Sequence, residues 1–119
     1  MMSQTTEVER VRDLVRELRE VVRQCHEVNC APFKSKVAMT VNDRTYYVEV
    51  FNSEDVLITY YLQPMSVYAP DEPRAVHMKL SMSDPNDVLY LIVNGLAEPL
   101  IKALKERMAL LEEIRKALG

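Results

Sequence analysis

Glycine is almost missing from this 119-residue chain: there are two, and Gly95 is the only internal one. Glycine-rich phosphate loops and dinucleotide-binding fingerprints need several side-chain-free or left-handed positions close together, so both are excluded. Tryptophan is absent, and the two cysteines, Cys25 and Cys30, are too few for a secreted disulfide framework. No charge of one sign gathers anywhere. Residues 1–30, 31–83 and 84–119 each carry five basic and six acidic groups, within a net charge of −3. Field-driven binding to nucleic acid or to an anionic membrane is therefore not expected. The longest unbroken apolar run, residues 88–93, falls far short of the about 20 residues of a membrane span. Residues 1–10 hold no apolar centre of a secretory signal. These absences lead to the expectation of a cytoplasmic protein. Few glycines, many charges and only three glutamines would suit a heat-adapted source.

What is present is patterned. Hydrophobic residues make up 48% and charged residues 28%, enough for one core, so residues 1–119 are expected to form a single domain. A first helix is predicted over residues 5–29, with Thr5 or Thr6 as its cap. Val8, Val11, Val15, Leu18, Val22 and Cys25 recur at alternating steps of three and four, the spacing of a coiled-coil seam. Leu14, Val21 and Val28 widen that stripe. Arginines and acids on the other face, among them Arg16 with Glu20 and Arg23 with Glu27, read as a solvated surface of four-apart pairs.

Four antiparallel strands are predicted over residues 36–42, 45–51, 55–63 and 74–82, with turns at Asn42-Asp43 and at residues 52–54, and a longer connection containing Pro64, Pro70, Asp71 and Pro73. Residues 65–69 are a candidate fifth, edge strand. Alternation sorts the strands onto two faces. One collects Val37, Met39, Val48, Val50, Val56, Ile58 and Leu80 with Val41, Tyr46, Tyr60, Leu62, Val76, Met78 and Met82, and no charge interrupts it. The other carries Tyr47, Glu49, Phe51, Thr59, Tyr61, His77 and Lys79.

The chain closes with a helical segment over residues 84–118. Asp84-Pro85-Asn86-Asp87 is a start signal: a capping side chain, a proline at the first position and an acid three residues after the cap. Pro99 predicts a kink or break near Gly95 and a second rod from about Glu98. A rival reading makes residues 88–93 a buried strand. The expected fold is α+β: an N-terminal helix, an antiparallel meander of four to five strands and a long kinked C-terminal helix, with the helices on one sheet face.

No catalytic constellation stands out. Cys25, His26, Cys30 and His77 have poor spacing for a zinc site, and the cysteines read equally as buried small hydrophobes or as a disulfide closing the helix end. No nucleophile elbow is present, and no cofactor is implied. Tyr47, Glu49, Phe51, Thr59, Tyr61, His77 and Lys79 are the candidate binding residues. Exposed aromatics on a sheet suit a protein partner first, a small ligand second and single-stranded nucleic acid third, since the balance is acidic. The breadth of the first helix's stripe predicts a homodimer through helix seams or the sheet face. The functional expectation is a non-catalytic adaptor or chaperone-like domain. The alternative is a small-ligand or catalytic domain with a cavity lined by Met39, Tyr46, Tyr60 and Met78.

Overall fold

The computed structural model describes the backbone of residues 2–62 and 74–119, and side chains from Glu7 onward. The elements are α1 (Met2–Val28), β1 (Val37–Val41), β2 (Arg44–Val50), β3 (Asp55–Leu62), β4 (Arg74–Ser81), α2 (Pro85–Val93) and α3 (Ala97–Leu118), with a short 3-10 turn at Phe33–Ser35. The four strands form one antiparallel sheet in sequence order. The candidate strand at residues 65–69 lies outside the described residues.

α1 begins at Met2, so Thr5 and Thr6 sit inside the helix rather than capping it. It ends at a left-handed residue, Asn29, whose φ is 54°. The N–H of Cys30 donates to the Cys25 carbonyl (2.9 Å) and that of Asn29 to the His26 carbonyl (3.1 Å). This crossed pair of bonds is a Schellman turn, and it folds Cys30 back onto Cys25. The two cysteines are joined in a disulfide and lie in the core, 0% and 2% exposed. Arg107 of α3 fixes the segment that follows. Its guanidinium donates to the carbonyls of Cys30 (3.1 Å), Ser35 (2.5 Å) and Lys36 (3.1 Å).

The tightest hairpin of the sheet turns at Asn42 (φ 51°) and Asp43 (φ 65°). Two successive left-handed residues match the right-handed twist of the strands, and Asn and Asp tolerate that conformation best among residues with a side chain. The next turn is held by Asn52, whose Oδ1 accepts from the N–H groups of Glu54 (2.8 Å) and Asp55 (2.7 Å).

Register sets Val37, Val48, Ile58 and Met78 in one row across the sheet, and Val50, Val56 and Leu80 in the next. Val48, Val56 and Ile58 are fully buried, each contributing about 1.5–3 kcal/mol. They belong to one cluster with Leu18, Val21 and Val22 of α1, Leu91 of α2 and Leu100 and Leu104 of α3. The helices therefore roof the apolar sheet face. The roof thins toward one corner: Tyr46, Tyr60, Val76 and Met78 are only half-buried, and Leu62 is 40% exposed.

α1 and α3 run side by side in the same direction. Glu17 pairs with Lys105 (3.1 Å), and one helix turn before the end of α3 Arg115 donates to the Val28 carbonyl (3.2 Å). On α1, Arg23 pairs with both Glu20 and Glu27, whereas Arg16 pairs with Asp13 (3.5 Å) rather than with Glu20.

The start signal at Asp84 is realised. The N–H of Asn86 donates to Oδ1 of Asp84 (2.9 Å), and Pro85 occupies the first turn. Residues 88–93 are helix, which removes the strand reading. Asp87 does not reach back to the cap; its carboxylate accepts from the Ser81 N–H (2.8 Å) and ties α2 to the end of β4. The chain then breaks completely, so the segment is two helices rather than one kinked helix. Gly95 (φ 68°) is left-handed, and the N–H groups of Gly95 and Leu96 return to the carbonyls of Ile92 and Leu91 in a second Schellman turn. Pro99 is the third residue of α3, where an N–H would have no partner inside the helix. It starts the new helix and does not break the old one.

Candidate functional site

The second sheet face is built by the same register. Tyr47, Thr59 and His77 lie in one row, and Glu49, Leu57 and Lys79 in the next. Tyr61 follows on β3 beyond Thr59, and Phe51 lies just past the end of β2. All seven candidate binding residues thus share one face, opposite the helices. Among the described residues no helix covers it: Tyr47 is 37% exposed, Phe51 39% and Tyr61 51%, while His77 and Lys79 are exposed and Glu49 is half-buried.

The aromatic groups are ordered by their neighbours. The rings of Tyr47 and Tyr61 meet edge to face with centroids 6.0 Å apart, a geometry favoured by the ring quadrupoles. Nζ of Lys79 stands 5.3 Å from the Phe51 ring centre, within reach of cation–π attraction. Oγ1 of Thr59 is 2.9 Å from Nδ1 of His77. Tyr47, Glu49, Leu57, Thr59 and Tyr61 thus stand on the two inner strands, Phe51 just past the end of β2, and His77 and Lys79 on β4, the edge strand of the described sheet, a mixture of aromatic and polar groups of the kind found where proteins dock.

One feature escaped the sequence reading. Thr59 is 2% exposed, although it lies on the open face. It is on β3, an inner strand, and larger side chains stand on both neighbouring strands. Alternation assigns the face but not this shielding; strand order would have supplied it. Leu57, which alternation also assigns to this face but which is not one of the seven candidates, lies half-buried between Glu49 and Lys79 and adds a further apolar group.

The remaining chemistry is quickly placed. The Cys25 and Cys30 sulfurs are bonded to each other and offer no thiolate to a metal; among the described residues no group of three or more His, Cys, Asp or Glu could hold one. Where a cavity is expected, around Met39, Tyr46, Tyr60 and Met78, several of the described side chains lie against one another. Met39 is buried, the Tyr46 and Tyr60 rings meet edge to face at 5.4 Å, and the Arg44 guanidinium lies 4.4 Å over the Tyr60 ring. Burial raises the Tyr90 phenol above its usual range, the nearby Tyr60 and Tyr46 add to that, and Arg44 partly opposes it. No described helix is long and apolar enough to cross a membrane. No protein-family model, curated protein or solved structure matches this chain.

Proposed function

We propose that the protein is a non-catalytic interaction domain, an adaptor or chaperone-like module that acts as a homodimer and takes a protein segment on the open sheet face. One observation supports this most: Tyr47, Phe51 and Tyr61 are exposed on one face of a rigid antiparallel sheet, with Glu49 and half-buried Leu57 among them and His77 and Lys79 on the edge strand. Tyrosine brings large contact area at low entropic cost, and a rigid sheet avoids ordering a loop on binding. We place it in the cytoplasm of a heat-adapted cell, the setting in which an intracellular disulfide such as Cys25–Cys30 is ordinary.

The test uses a photo-reactive amino acid at position 61 of the full chain, expressed in its own host, with the same group at the exposed position 116 as control. A specific protein should be trapped from 61 and not from 116. The purified pair should then bind in titration. The double change Tyr47→Ala and Tyr61→Ala should abolish that binding while leaving the melting temperature within about 2 °C, as expected for exposed positions. Absence of any adduct specific to position 61 would refute the docking face.

A further inference from the structure

The stripe that seats α1 on its own sheet does not stop where the seating stops. Leu18, Val22 and Cys25 are fully buried, whereas Val8 and Val11, earlier in the same three-four series, remain 51% and 45% exposed. α2 stands beside this stretch without closing over it. Leu89 is 55% exposed and Val93 71%, and open clefts on both sides of Val11 reach Ile92. One end of the molecule thus shows four large aliphatic side chains on two adjacent helices. Leaving them in water forgoes about 25 cal/mol for each Å² that a partner would cover.

Charge is segregated about this seam. On one side Arg12, Arg16 and Arg19 line a cleft with Val11 and Val15; Arg23, Glu20 and Glu54 extend it, Arg23 being already bonded to Glu20 and Glu27, and Arg16 to Asp13. On the other side Glu7, Asp13, Glu17 and Glu98 line a cleft with Val11 and Leu14, and Arg10 is its one cation. Among the described residues, Arg12 and Arg19 make no ion pair within the chain.

We infer that this seam binds a second copy of the chain, with the two α1 helices parallel about a two-fold axis. The inference rests on the homodimeric reading above and supplies its interface. A surface with one basic and one acidic edge is complementary to itself only in one sense. An axis running along α1 turns the basic edge of one copy onto the acidic edge of the other. An axis across α1 would make the helices antiparallel and set arginine against arginine. In heptad terms exposed Val8 takes position a and exposed Val11 position d, and a β-branched residue at a suits a two-stranded pair. Glu7 then falls at g and Arg12 at e, the two flanking positions that form ion pairs between parallel helices. The sheet face lies on the far side of the roof, so each copy keeps its docking surface free.

Four measurements on the full chain test this. Sedimentation equilibrium should give twice the 13.8 kDa chain mass. Val11→Asp, at an exposed position, should give the single-chain mass with an unchanged circular dichroism spectrum. Val8→Cys should join to its own copy through a short bismaleimide, because a parallel axis sets each seam residue against itself. Arg12→Glu should weaken the dimer about tenfold, since the two-fold repeats each lost pair, and adding Glu7→Arg should restore it. A single-chain mass at the highest attainable concentration overturns the inference. So does a dimer that survives Val11→Asp, a Val8→Cys chain that fails to join itself, or an Arg12→Glu dimer as tight as the parent. None of these results touches the sheet-face reading, which fails if position 61 traps no specific protein or if the Tyr47→Ala and Tyr61→Ala chain still binds it.

Discussion

Thr59 and His77 sit directly across from each other on neighbouring strands, with Oγ1 and Nδ1 2.9 Å apart. Thr59 is a buried polar residue, 2% exposed, beneath a surface otherwise read as wet. A hydroxyl shielded from water has to find its bond inside the protein, and His77 supplies it. The histidine is thereby held in place, so the polar margin of the face is ordered along with its tyrosines.

Changing Thr59→Val keeps the branched shape and removes the hydroxyl. The loss should be about 1 kcal/mol, the net worth of one such bond. It should appear as a lower urea midpoint with an unchanged slope. A stability equal to the parent would mean that the bond contributes nothing in solution.

The Cys25–Cys30 disulfide closes a very short loop, with a sequence separation of 5. In the chain-entropy view such a loop constrains the unfolded state by only about 2 kcal/mol. The Schellman bonds of Asn29 and Cys30 and the three carbonyls held by Arg107 do not depend on it. Reduction, or Cys25→Ala with Cys30→Ala, should therefore lower the unfolding free energy by about 2 kcal/mol without changing helix content. Complete unfolding on reduction would show that the turn cannot form unbridged.

The break between α2 and α3 separates two causes that the sequence confounds. Gly95 holds φ 68°, and a Cβ placed there would meet nothing within 4 Å. Gly95→Ala therefore costs only the left-handed backbone, about 1 kcal/mol. Pro99 lies in the first turn of α3, half-buried, so Pro99→Ala should move stability by less than about 0.5 kcal/mol. Thermal melts of the two variants would show the contrast. A larger effect at Pro99 would return the break to the proline.

That contrast marks how far the sequence could be read. The sheet was legible because its period is two, and an uninterrupted apolar series such as Val48, Val50, Val56 and Ile58 can face only inward. The seven residues of the candidate face followed from the same alternation. The start of α2 was legible because Asp84 and Pro85 act locally. Three things were not. Pro99 and Gly95 are four apart, and nothing local says which ends a helix. Cys25 and Cys30 meet only because Asn29 turns left-handed, a choice that asparagine permits but does not announce. Thr59 is buried only because its strand is internal and its neighbours are large. Each depends on where other elements lie, which a single chain's periodicity does not carry.

Tyr90 gives the last prediction its sign. Its phenol titrates higher in the folded protein than when free, first because burial penalises the phenolate and then because Tyr60 and Tyr46 lie close, with Arg44 in partial opposition. In the unfolded chain the phenol returns to about 10. Between that value and the higher folded one, the unfolded state has lost its proton and the folded state has kept it. Unfolding then releases a proton, and stability falls as pH rises. Below about pH 9 both states are protonated and this group contributes no slope. A urea midpoint measured from pH 8 to 11 should stay level and then decline near pH 10, and Tyr90→Phe should flatten that decline. An alkaline decline identical in Tyr90→Phe would assign it to other groups.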